Sequence, residues 1–213
     1  FKMAIQGYAR PPFSPTRFPA GITNANVGDI LANLATVDPT KLQIFWEDFI
    51  AAPAALGVTT GIAGAGGLAT AATTVAVDTP TACFALDPTK RFFFAARLSL
   101  ATVANSITIG FADDLSAPED GVVVTVANNV LTVSNFIGAS AVETDTYNAS
   151  TVNATMYQVG FEYDPRKGVT VYLDGAVVAR IDPAALTTED LVAGVYPSGA
   201  TATLDYIFAA VER

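Results

Sequence analysis

The tightest constraint on this chain lies in residues 157–181, where three β-type segments are separated by two turns. Tyr157, Val159, Phe161 and Tyr163 alternate with Gln158, Gly160, Glu162 and Asp164, the period of a strand with one face toward a core. Asp164-Pro165-Arg166-Lys167-Gly168 puts Pro early and Gly late, as a turn requires, and Asp174-Gly175 is a two-residue hairpin signal. Connections this short leave no room for a crossover helix, so these strands are expected to run antiparallel.

The same pattern extends upstream. Phe92, Phe94, Ala96, Leu98 and Leu100 form one face of a strand, with Arg97 and Ser99 on the other. Ile107, Ile109 and Phe111 repeat the pattern, and segments 121–127 and 130–136 are joined by Asn128-Asn129, two residues that tolerate left-handed geometry. Residues 44–49 read as the first strand of the body, 61–67 as a Gly-rich loop, 68–77 as a Thr- and Ala-rich segment that holds a strand and 202–211 as the last strand. Such spacing predicts an all-β antiparallel sandwich over residues 44–213 rather than a βαβ fold.

Residues 1–43 are read separately, as an extended arm with one short helix. Pro11, Pro12, Pro15 and Pro19 forbid a helix early in the arm and remove donors that a central strand would need. Asn26 is a cap for a short helix over 27–35, with Ile30, Leu31 and Leu34 on one side and Asp38-Pro39 as its end. Phe1, Ile5, Tyr8, Phe13 and Phe18 give the arm more apolar surface than a solvated tail can use. Two placements are open for them, on this chain's own sandwich or on a neighbouring subunit.

Charge divides along the same line. Residues 1–22 hold Lys2, Arg10 and Arg17 and no acid, while the rest carries 8 basic and 20 acidic residues, a net −12. An acidic body argues against nucleic acid, whose phosphates need a basic face. No apolar run reaches the length of a membrane helix, and the opening Phe-Lys-Met-Ala-Ile-Gln does not read as a secretory leader. Cys83 has no partner for a disulfide and, in Ala82-Cys83-Phe84-Ala85-Leu86, is expected to be a small core residue.

The run Tyr157-Gln-Val-Gly-Phe-Glu-Tyr-Asp-Pro-Arg-Lys-Gly-Val-Thr-Val-Tyr-Leu-Asp-Gly175, followed by Val177-Val178-Ala179-Arg180-Ile181, resembles the concanavalin A-like, laminin-G-type jelly rolls. Ile107-Thr-Ile-Gly-Phe-Ala-Asp113 and Leu204-Asp205-Tyr206-Ile207 extend the resemblance across the body. With the Pro-rich arm it looks like the capsid decoration proteins of tailed bacteriophages. That resemblance implies a virion protein on the outer capsid surface, a homo-oligomer in contact with the major capsid protein or with copies of itself. Tyr8, Arg10, Phe13, Arg17 and Phe18 are then the expected capsid or subunit contacts, being of the residue types enriched in interface cores.

Catalytic equipment is scarce. The chain has no His, so His-based triads are excluded. Glucanases of this fold class carry Glu-x-Asp-x-x-Glu or a close variant on one strand, which gives the paired acids of glycoside hydrolysis. The nearest acids here, Glu47-Asp48, Asp113-Asp114 and Glu162 with Asp164, lack that spacing. No enzyme activity and no cofactor are expected. Asp113, Asp114, Glu119 and Asp120 surround one loop, read as a solvated acidic loop with a Ca²⁺ site as the alternative. The second functional reading is a lectin-like module, with Tyr147-Asn148, Tyr196 or Trp46 as the aromatic platform for a sugar.

Overall fold

The structure is a computed structural model that describes residues 41–47, 58–60, 69–71, 76–100, 106–148, 156–199 and 201–213. Arm residues Tyr8, Arg10, Phe13, Arg17 and Phe18, the helix expected over 27–35 and the Gly-rich loop at 61–67 all lie outside the described residues. The strands are β1 (Leu42–Glu47), β2 (Val58–Thr60), β3 (Ala69–Ala71), β4 (Val77–Asp78), β5 (Phe84–Ala85), β6 (Phe92–Leu100), β7 (Ser106–Ala112) and β8 (Gly121–Ala127). They continue as β9 (Val130–Ile137), β10 (Ser140–Asn148), β11 (Tyr157–Asp164), β12 (Gly168–Leu173), β13 (Ala176–Ile181), β14 (Asp190–Ser198) and β15 (Ala202–Glu212).

They form two antiparallel sheets. The first runs β13-β12-β11-β6-β15-β3-β2, with β1 also paired to β15; the second runs β10-β9-β8-β7-β14-β4, with β5 also on β14. Period-2 alternation sends Phe92, Phe94, Ala96, Leu98 and Leu100 inward from β6, and Ile107, Ile109 and Phe111 inward from β7. Tyr157, Val159 and Phe161 of β11 join them in the same core. An aromatic knot lies between the layers. Phe111 of the second sheet meets Phe84, Phe92, Phe94 and Phe161 edge-on, with ring centroids 5.2–6.2 Å apart.

Two hairpins have the backbone that their residues suggested: Asn128 and Asn129 lie at φ 50° and 64°, Asp174 and Gly175 at 46° and 73°. Asp174 also accepts the Gln158 amide at 2.8 Å, while its own amide donates to the Gln158 carbonyl, so the β12–β13 turn is fastened to β11. A third hairpin turns at Gly138-Ala139 with φ 58° and 63° and launches β10, a strand absent from the sequence reading. Ala139 is an unfavourable residue for that backbone, which is why the sequence showed no turn there.

The sheets also meet along one side. β10 and β13 are their outermost strands. Glu143 Oε1 accepts the Asp182 amide at 2.8 Å and Asp145 Oδ2 the Arg180 amide at 3.0 Å. Carboxylates of one sheet thus satisfy donors on the free edge of the other, and a bulge between Ala141 and Glu143 twists the edge.

Two expectations need correction. The first strand is Leu42–Glu47, two residues earlier than read. Cys83 is exposed rather than in the core. Its amide bonds the Leu191 carbonyl and its carbonyl accepts from Gln43, and Phe84, 1% exposed, fills the core position.

Replacing Phe111 by Ala removes the ring on which four others converge and is expected to cost about 3–5 kcal/mol. A urea titration should show a lower midpoint at unchanged slope. Glu143→Ala with Asp145→Ala should cost about 1–2 kcal/mol through the lost seam, read by the same titration.

Candidate binding surface

The outward face of the second sheet is a plane of hydroxyl and small side chains. Its central row, fixed by strand register, is Tyr196, Thr108, Thr125, Thr132 and Thr146, one residue from each of β14, β7, β8, β9 and β10. Gly194, Gly110, Val123, Ser134 and Thr144 form the next row, and Ser198, Ser106, Ala127, Val130 and Asn148 the row on the other side. Thr108 Oγ1 lies 3.5 Å from Thr125 Oγ1. Tyr196 is half-buried and packs with Val192 and Phe136 against Ala112, Leu115 and Val123. None of these fifteen positions is charged, on a body whose net charge is strongly negative.

Asp78 borders the face. β4 approaches so closely that a Cβ on Gly194 would lie 2.5 Å from the Asp78 Cβ. Burial raises the Asp78 pKa above the ordinary carboxylate value, and the neighbouring charge of Asp114 adds to the effect. Asp114 itself is held low by the hydroxyl and amide of Ser116, whose atoms lie 2.7 and 2.8 Å from its Oδ1.

The acidic loop is organised by its own backbone. Asp113 Oδ1 accepts the amides of Glu119 and Asp120, and Asp120 Oδ1 that of Gly138. These oxygens are engaged in shaping the loop, and among the described residues no three acids converge as a metal site would need.

The remaining acids separate. Glu162 projects from the outer face of the first sheet, 7% exposed, and accepts the Tyr172 hydroxyl at 2.8 Å. Asp164 holds its turn by accepting the Arg166 amide and lies 3.5 Å from Arg91. Asp48 is outside the described residues. The aromatic candidates also divide. Tyr196 and Asn148 share a face but stand on β14 and β10, with three strands between them. Tyr147 alternates away from that face and is 41% exposed. Trp46 belongs to the other sheet, stacked on Tyr206 at 5.2 Å. The threonine row has no signature in the sequence, because Thr108, Thr125, Thr132 and Thr146 come from four strands and meet only through register.

No protein-family model matches the chain, and no curated protein sequence matches it. Solved structures do. One is a protein of unknown function, SO2946 from Shewanella oneidensis MR-1, with TM-score 0.58 and 14% identity over 85% of this chain and 92% of that one. A second is a prokaryotic β-1,3-1,4-glucanase (lichenase) from a mouse hindgut metagenome, with TM-score 0.53 and 12% identity over 78% and 98%. The fold is a concanavalin A-like jelly roll. A third neighbour, the carbohydrate recognition domain of Emp47p, shares this jelly roll at TM-score 0.51 and 12% identity over 82% and 89%. Identities this low speak for the jelly roll alone.

An Asp with a raised folded-state pKa stabilises the fold fully below its unfolded value of 3.8 and loses that contribution as pH rises through the folded value. Asp78→Asn should therefore be more stable than the parent at pH 7, with the difference vanishing toward pH 3.5 in paired thermal melts. Melts in chelator and in millimolar Ca²⁺ should share one midpoint, since Asp113, Asp114 and Asp120 already hold amides.

Proposed function

We propose that the chain is a non-enzymatic virion structural protein, a capsid decoration or cement protein bound to the outer capsid surface through its N-terminal arm. The observation that carries this reading is the division of the chain into a basic, aromatic arm and an acidic body. The arm would lie along the major capsid protein or neighbouring copies, with Tyr8, Phe13 and Phe18 buried at the contact and Arg10 and Arg17 paired to acids there. The body would face solvent, where like charge keeps particles apart. In support, Glu143 and Asp145, the two acids of β10, are committed to the amides of Asp182, just past β13, and of Arg180 on β13, so the edge supplies structure rather than a reacting carboxylate pair.

Deleting residues 1–26 should abolish association with purified capsids in a sedimentation assay while leaving a cooperative thermal transition. Undiminished binding by the truncated protein would overturn the arm mechanism.

A second reading is a carbohydrate-binding, lectin-like module involved in surface attachment. It is favoured by the neutral face beside Tyr196, where hydroxyl donors and acceptors surround an aromatic ring, and by the likeness to the Emp47p carbohydrate recognition domain. A glycan array probed with the Δ1–26 protein tests it. Saturable binding that Tyr196→Ala removes would support it, and no saturable binding would dismiss it.

A further inference from the structure

Charge is sorted by sheet. Residues 41–213 contain eight basic side chains, and the strands of the second sheet hold none of them. Six of the eight, Lys41, Lys90, Arg91, Arg166, Lys167 and Arg213, gather at one end of the first sheet. Backbone pairing puts them there: Arg213 donates its amide to the Lys41 carbonyl, Glu212 donates to the Arg91 carbonyl, and Tyr163, just before the 164–168 turn, pairs with Phe92. Of the acids at this rim, Asp87 lies 3.7 Å from Lys90 and Asp164 3.5 Å from Arg91, Glu212 accepts the Arg91 amide, and Asp182 stands beside Gly168. Lys41, Arg166, Lys167 and Arg213 are exposed and make no salt bridge among the described residues. The second sheet ends in acids at the same place. Phe92, the first residue of β6, meets Phe111, the last but one of β7, at 5.8 Å, so the loop after β7 lies at this end too. That loop and the approach to β14 supply Asp113, Asp114, Glu119, Asp120, Glu189 and Asp190, with no base among them. Packed sheets lie about 10 Å apart, somewhat more than the Debye length of about 8 Å at physiological salt. An approaching surface therefore meets two signs side by side rather than their average.

We propose that this end of the sandwich is a contact between two copies of the chain, related by a two-fold axis that runs between the sheets. Such an axis lays the basic rim of each copy on the acidic rim of the other, so the charge match is made twice. A two-fold contact needs a patch complementary to itself, and a rim split into opposite signs meets that condition. A uniformly acidic surface would not, because the net charge of −9 sets copies of the chain against one another wherever no base intervenes. The match also selects one mode of approach: the two-fold axis at right angles, across the sheets, would set base on base and acid on acid. The inference uses residues of the body alone and stands whether the protein cements capsids or binds sugars.

Sedimentation velocity on the full chain at micromolar concentration tests this. The parent should sediment as a dimer in dilute buffer and as a monomer at about 1 M salt, where the Debye length is about 3 Å. Arg166→Glu with Lys167→Glu, and separately Glu119→Lys with Glu189→Lys, should each weaken the dimer by about tenfold or more. An equimolar mixture of the two variants should recover it, since each reversed rim then meets a complementary one. A parent that stays monomeric in dilute buffer would overturn the proposal. A dimer indifferent to salt and to both reversals would overturn it in favour of another surface, and a mixture that recovers nothing would overturn the two-fold pairing. Should either double variant fail to fold by circular dichroism, the parent's salt series and Lys41→Glu alone decide on the same terms.

Discussion

Everything in this fold is arranged around the meeting of Phe111 with Phe92, Phe94 and Phe161. Phe111 comes from one sheet and the other three from the facing one. Edge-to-face rings favour a particular mutual tilt as well as a distance, so these contacts fix how the two sheets lie on each other. Because β6 and β11 are adjacent and the pleat has period 2, placing Phe94 against Phe161 inside forces Phe93 and Glu162 outside in the same register. A single-residue slip on either strand would turn the aromatic sets inside out. The composition of both outer faces follows from this one inner contact.

The two outer faces differ in composition. Register brings threonine, serine and glycine together on the second sheet, giving a flat neutral surface with Asp78 at its margin. On the first sheet it collects Tyr206, Phe208, Phe93 and Tyr172, which are buried, with Trp46 half-buried beside them. Between them, the seam of Glu143 and Asp145 on β13 closes one side, so the sandwich is protected where an open strand edge would invite pairing.

How much of this the sequence disclosed depended on whether the information was local. Alternation in 92–100, 106–111 and 157–163 and the turns at Asn128-Asn129 and Asp174-Gly175 are short-range features, and the strands and hairpins follow them. β10 escaped because Ala139 occupies a left-handed position that Gly or Asn usually signals, and because its apolar residues Val142 and Tyr147 do not alternate. Cys83 was misjudged from apolar neighbours, when the inward position in so short a strand belonged to Phe84. The outer aromatic face was visible only in part. Phe93 and Ala95 interrupt what reads as the polar side of β6, but that β1 and β15 complete the patch with Trp46 and Phe208 requires the long-range pairing itself.

The same reasoning bears on function. Glycoside hydrolysis on a jelly-roll sheet requires two carboxylates on one face at a fixed separation, and register decides which side chains can meet there. Here the acids of β10 bond the neighbouring edge, Asp113, Asp114 and Asp120 hold loop amides, and Glu162 accepts the Tyr172 hydroxyl on the outer face of the first sheet. Each of these carboxylates accepts a hydrogen bond that holds a strand edge, a loop or a neighbouring side chain. Acids committed in this way serve the scaffold, and the proposed adhesive role draws on the faces and the arm instead.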